Sequence, residues 1–212
     1  MGKKLFIFDM DGTLLDSMPL WRDFDKHYLK RYNITPPDNL DEIVAPLTLP
    51  ECADYFISLG IDRDRDFIIS EVVSIVKDEY ENNIPLKPGM DELLKELHLE
   101  GHIICLLTTS EKAYAIPALK RLGIYNYFNA IYTSSELNMD KRTPGIYKNI
   151  CDKYNILPEN TTVYEDTIFA VRSAKGAGCH VIAVYDENSA VYWDEIQQTA
   201  DEIFTYNQGH LY

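Results

Sequence analysis

Five short runs of apolar, β-favouring residues punctuate the chain: KLFIF (4–8), HIICLLT (102–108), AIYT (130–133), TTVYE (161–165) and HVIAV (180–184). Each has the length of a buried strand and is bounded by polar or turn-forming residues. Helical spacing recurs between the later runs, at 112–122, 144–155 and 168–177. Strands alternating with helices predict a parallel sheet covered on both faces. The interval between the first two runs breaks that rhythm. Residues 17–84 hold no strand pattern, whereas Leu20, Trp21, Phe24, Tyr28, Leu29 and Tyr32 follow helical spacing, as do Phe67, Ile68, Val72, Ile75 and Val76. Pro85 and the turn LKPGM (86–90) mark the return, through a helix over 90–99. The pattern predicts an α/β core built from residues 1–16 and 85–212, with residues 17–84 inserted as an all-helical cap.

Composition narrows the function more than the fold. At 212 residues, 46% of them hydrophobic, the chain can bury a full core without disulfides or a structural metal. The four cysteines (Cys52, Cys105, Cys151, Cys179) have no metal-ligand spacing and read as small buried hydrophobes in a reducing compartment. A net charge of −14 with no basic block argues against a nucleic-acid polymer as partner. The start, MGKKLFIFD, is basic and then apolar, but four apolar residues are too few for a secretory core. No run approaches the 18 or so apolar residues of a membrane span, so a cytoplasmic protein is expected. Oligomeric state is not legible.

Candidate chemistry sits where strands end. Asp9 and Asp11 follow the first run, Thr108, Thr109 and Ser110 the second, Glu165 and Asp166 the fourth. In open α/β sheets the ligand crevice lies at the carboxyl ends of strands, where strand order reverses. If the first strand is central, with the second and fourth beside it, these groups converge. Each segment alone has a plain explanation: turn aspartates, a helix cap after Thr108, a solvated strand end. Together they do not. Four ionised carboxylates about 5 Å apart repel by roughly 3 kcal/mol per pair at an effective dielectric near 20. Summed over all pairs, that exceeds the roughly 5–15 kcal/mol stability of a whole domain. Such a cluster needs a cation, a basic residue or a proton. All-oxygen ligands with water left on the ion suit Mg²⁺ serving a phosphate. Hydroxyls and amides at the start of the helix after Thr108 would cradle an anion. In NMDKRTPGIY (138–147), Thr143 reads as an N-cap and Pro144 as the first helical residue, so Lys141 stands in the loop before that helix.

DMDGTLLDS, the run ending in Thr108, Lys141 before a helix, and YEDT (164–167) resemble, in order and spacing, the four motifs of the haloacid dehalogenase-like superfamily. The resemblance spans essentially the whole chain and implies a Rossmann-like core. The helical insertion is similar to the small cap of the subgroup containing phosphoglycolate phosphatases and β-phosphoglucomutases. It implies an enzyme that hydrolyses a small phosphomonoester through an aspartyl-phosphate. Asp9 would be the nucleophile, and Asp11 would protonate the leaving oxygen and then activate water. Mg²⁺ would be held by the Asp9 carboxylate, the Asp11 backbone carbonyl and Asp166, with Glu165 assisting through water. Thr108, Thr109 and Lys141 would bind the phosphoryl group.

Other chemistries of the superfamily fit less well. The dehalogenases lack the second aspartate present here as Asp11, and transport ATPases carry Lys-Thr where this chain has Met10-Asp11. A phosphosugar mutase is the nearest alternative. Mutases of this subgroup typically place a histidine on the first cap helix, where Trp21 and Arg22 stand here as candidate specificity residues. A phosphate-binding protein without catalysis is a further alternative, disfavoured by the intact Asp9/Asp11 pair. Two departures from the family pattern stand out: Arg142 where relatives have proline after the lysine, and Pro117, which should shorten or kink its helix.

Overall fold

A computed structural model describes residues 2–207 and 210–211, with side chains described up to Thr205. In chain order the elements are β1 (Leu5–Phe8), α1 (Met18–Arg31), α2 (Leu40–Val44), α3 (Leu49–Ser58), α4 (Arg65–Asn82), α5 (Met90–Leu99), β2 (Ile103–Thr108), α6 (Lys112–Arg121), β3 (Ala130–Thr133), α7 (Ser134–Leu137), α8 (Gly145–Tyr154), β4 (Thr161–Glu165), α9 (Ile168–Ala177), β5 (His180–Val184), α10 (Trp193–Thr199) and β6 (Glu202–Phe204). A short antiparallel pair, β7 (Tyr206–Asn207) with β8 (His210–Leu211), completes the series. By its contacts the chain divides into two compact units, Met1–Met18 with Ile84–Tyr212, and Pro19–Asn83.

The first unit is built on a six-stranded parallel sheet in the order β3-β2-β1-β4-β5-β6. β1 is central, with β2 and β4 on either side. Its four residues LFIF are all buried, as expected for a strand covered on both faces. Leu5, Ile7, Cys105, Leu107, Val163 and Val181 pack with Ile146, Ile150, Val171 and Ala174 of α8 and α9 to form one side of the core. Each fully buried aliphatic of this kind contributes about 1.5–3 kcal/mol of transfer free energy. The register pairs Phe8 with Leu106 on one side and with Tyr164 on the other. The three strands therefore end close to level with one another, which brings together the loops that leave them.

The five predicted strands are present, each within a residue of its apolar run. A sixth, β6, extends the sheet beyond β5; its three residues, EIF, are too short and too exposed to show in the hydrophobic pattern. α6 continues past Pro117 to Arg121, so the proline does not end the helix. Cys105, Cys151 and Cys179 are buried and free, and Cys52 is partly buried. Among the described residues no helix is long and apolar enough to cross a membrane.

The second unit is all-helical, comprising most of α1 together with α2, α3 and α4. Phe24, Tyr28, Leu29, Phe56, Ile68, Val72, Val76 and Tyr80 are buried there. Glu71 Oε2 accepts from the hydroxyls of Tyr28 (2.7 Å) and Tyr32 (2.5 Å), which ties α1 to α4. Back in the first unit, the outgoing and returning chain segments are bonded to each other. Asp16 N donates to Pro85 O at 3.0 Å, and Lys87 N to Leu14 O at 2.8 Å.

Candidate active site

The segment after β1 is folded into a tight turn. Leu14 N and Leu15 N both donate to Met10 O, and Gly12 N donates to Leu15 O. Successive side chains in extended chain point to opposite faces, which separates Asp9 from the neighbouring Met10, buried in the core. Gly12 is required twice over. Its φ is +84°, and a Cβ there would lie 2.5 Å from Asp166 Oδ2. The glycine lets the turn approach the strand end that carries Asp166, and Thr13 Oγ1 then donates to Asp166 Oδ1 at 3.1 Å.

Asp9, Glu165 and Asp166 are buried, and each offers an oxygen within 4.8 Å of the other two. Lys141, 4% exposed, reaches into the group from the loop before α8. Its Nζ donates to Asp9 Oδ1 at 2.6 Å and to Glu165 Oε2 at 2.7 Å. The other oxygen of Glu165 accepts from the backbone N and hydroxyl of Thr167. Burial, reinforced by the charge of Glu165 and opposed by Lys141, pushes the Asp9 carboxyl up to about 7. Burial and then Glu165 and Asp9 hold Asp166 well above the ordinary carboxylate range. For Lys141 burial acts downward, but Asp9 and Glu165 outweigh it and hold the ammonium well above its usual pKa. One buried cation among three buried carboxylates leaves a negative excess. All-oxygen donors, gathered about a common point with unmet negative charge, fit a hard divalent ion such as Mg²⁺.

The Asp11 carboxylate stands outside this trio. Ser17 Oγ donates to its Oδ1 at 2.7 Å, and Ser110 Oγ to its Oδ2 at 2.6 Å. Neither serine stood out in the sequence as a partner of Asp11. Ser17 is six residues downstream and Ser110 is 99, beyond any local spacing rule. Thr108, at the end of β2, is buried and accepts from Ser110 N at 2.9 Å. Thr109 is exposed beyond the strand end.

The cap residue of α6 is Glu111, so the plain explanation of Thr109 or Ser110 as a helix cap does not hold. One local expectation is corrected. Thr143 does not cap α8 through its side chain; its hydroxyl turns back to Asp140 O, and the helix begins at Gly145 after Pro144. In the helical unit Trp21 is 38% exposed and its indole donates to Tyr80 Oη at 3.0 Å, while Arg22 lies 3.7 Å from Asp23.

A buried acidic trio with one lysine, at the carboxyl end of a Rossmann-like sheet carrying a helical insertion, defines a class. The family model of haloacid dehalogenase-like hydrolases matches residues 6–184, and the chain belongs to that family. It is 25% identical over 173 residues to a phosphorylated carbohydrates phosphatase of Thermotoga maritima, covering 81% of this chain and 80% of that protein. It is 28% identical over 185 residues to fructose-1-phosphate phosphatase YqaB of Escherichia coli, covering 84% and 94%. In fold it is similar to the crystal structure of β-phosphoglucomutase from Clostridium difficile. The TM-score is 0.66 at 21% identity, over 99% of this chain and 94% of that one.

Proposed function

We propose that this protein is a Mg²⁺-dependent phosphatase that hydrolyses a small phosphorylated metabolite, of the phosphorylated-carbohydrate kind, through an aspartyl-phosphate on Asp9. The observation that carries this reading is the buried convergence of Asp9, Lys141, Glu165 and Asp166, with Asp11 held beside them by two serines. The names of the sequence relatives, phosphatases of carbohydrate phosphates, support the substrate class.

Each residue has a defined task. An Asp9 oxygen attacks phosphorus, and the bond from phosphorus to the ester oxygen breaks. Asp11 gives its proton to the departing alkoxide, then accepts one from the water that attacks the aspartyl-phosphate and frees Asp9. Its two serine partners limit its rotation. Lys141 lowers the repulsion between an anionic nucleophile and an anionic phosphoryl group. Thr108 and Thr109 would supply hydroxyl or amide donors to the phosphoryl oxygens. Asp9, Asp166, Glu165 and the Asp11 carbonyl would hold Mg²⁺, which when bound supplies positive charge against the transferring phosphoryl oxygens. Trp21 and Arg22 are kept as candidate specificity residues.

The test is hydrolysis of p-nitrophenyl phosphate and a panel of sugar phosphates with and without Mg²⁺, by wild type and Asp9→Asn. Metal-dependent phosphate release that the substitution abolishes is expected. Full activity in Asp9→Asn, or without divalent metal, would overturn the mechanism. Efficient interconversion of hexose phosphates with little release would indicate the mutase.

A further inference from the structure

Arg142 is not one of the groups that meet at the buried acidic trio, yet it stands beside them. It directly follows Lys141, so its Cα lies about 3.8 Å from that of a residue whose ammonium touches Asp9. Its guanidinium lies over the ring of Phe169, with Cζ 5.3 Å from the ring centroid. Phe169 is the second residue of α9, three positions after Asp166, and is 40% exposed. The pair therefore spans the loops that deliver Lys141 and Asp166, at the carboxyl end of the sheet.

Like Arg63 over Phe67 and Lys120 over Tyr125, Arg142 meets a ring rather than a carboxylate, but it does so directly beside Lys141. Other basic side chains are paired with carboxylates, the half-buried Lys26 with Asp41, Lys112 with Glu136 and Lys175 with Asp201, and the exposed Arg65 with Asp54. With 34 acidic residues against 20 basic ones, partners are plentiful. Arg142 is exposed and has no ion-pair partner among the described residues. The nearby Asp140 spends Oδ1 on the backbone N of Arg142, at 2.8 Å. A guanidinium held over a ring by its charge keeps N–H donors for other partners. Those donors match a carboxylate or a phosphate in a two-point fork.

We propose that Arg142, presented by Phe169, recognises a second anionic group on the substrate, so that the preferred esters carry a carboxylate or a second phosphate besides the phosphoryl group that reacts. This rests on the phosphatase reading and deepens it. Lys141 is committed to Asp9 and Glu165 and serves the reacting phosphoryl group. Arg142 serves the far end of the molecule.

The experiment compares kcat/KM within matched pairs, with Mg²⁺ present. One arm is phosphoglycolate against 2-hydroxyethyl phosphate; the other is fructose 1,6-bisphosphate against fructose 1-phosphate. The arms tell a carboxylate from a phosphate. Wild type should favour the doubly anionic member of at least one pair by about tenfold, mainly through KM, and the preference should shrink as salt is raised. In Arg142→Ala the preference should vanish, in Arg142→Lys it should be partial, and in Phe169→Leu intermediate. A ratio unchanged in Arg142→Ala in both arms overturns the proposal while leaving the phosphatase reading intact. If no ester is turned over, the phosphatase reading fails. The same ratios are then taken from calorimetric Kd values on the Mg²⁺-loaded Asp9→Asn protein with and without Arg142→Ala. Equal affinities within each pair reject the proposal on that route too.

Discussion

Asp9→Asn should destroy turnover and, in the metal-free protein, make the fold more stable. The Asp9 carboxyl is raised from 3.8 to about 7 in the folded state, chiefly by burial. Each pKa unit corresponds to about 1.4 kcal/mol between charged and neutral forms, so ionised Asp9 costs the fold about 4 kcal/mol at pH 8. Asparagine is nearly isosteric and neutral. It removes that cost while keeping an oxygen that can accept from Lys141. The sign is set by linkage: an acid whose folded pKa is raised loses stability as pH climbs from its unfolded value to its folded one. The gain from Asp9→Asn should therefore be near zero at pH 4, grow to about pH 7, and stay flat above, reaching at most about 4 kcal/mol. Urea denaturation monitored by circular dichroism, in EDTA at pH 4.5 and pH 8, measures it. Saturating Mg²⁺ should reverse the order, because wild type gains RT ln(1 + [Mg²⁺]/Kd) and the variant binds more weakly. A metal-free Asp9→Asn protein that is less stable at pH 8, or equally stabilised at both pH values, would refute the electrostatic reasoning.

Lys141→Met should be inactive and, without metal, about 3–5 kcal/mol less stable at pH 8, with a smaller loss at pH 5 where Asp9 and Asp166 take up protons; denaturation at the two pH values checks this. Gly12→Ala forces a side chain into a left-handed backbone position and onto Asp166, so it should cost about 1–3 kcal/mol and weaken Mg²⁺ binding measured by calorimetry. Ser110→Ala removes one hydrogen bond to Asp11 and should lower kcat about 10- to 100-fold with little change in KM, read in steady-state kinetics.

Much of the fold was legible because its strands are short, fully buried and apolar. β1 reads as four hydrophobic residues and is four buried residues. β6 escaped notice because an edge strand of three residues, one of them glutamate, carries no such signature. In the site, Asp9, Lys141, Glu165 and Asp166 could be nominated because carboxylates at strand ends need an explanation and a counter-charge. The side-chain partners of Asp11 could not. Serines are common, and only the fold brings Ser110 to within 2.6 Å of a residue 99 positions away. The same holds for Lys87, which reaches Asp186 at 2.7 Å and fastens the returning linker to the loop after β5. Thr143 shows the opposite failure. The sequence pattern Thr-Pro is a good N-cap signal, yet the helix starts one residue later, after Pro144, and the Thr143 hydroxyl donates back to Asp140 O in the preceding turn.

The most direct test is to quench the Mg²⁺-loaded enzyme with acid during turnover of its best ester and map peptides by mass spectrometry. A phosphoryl group on the peptide carrying Asp9, labile to hydroxylamine and missing in Asp9→Asn, is the predicted result. Turnover with Asp9 unmodified at every quench time, or a phosphoryl group on another side chain, would contradict it.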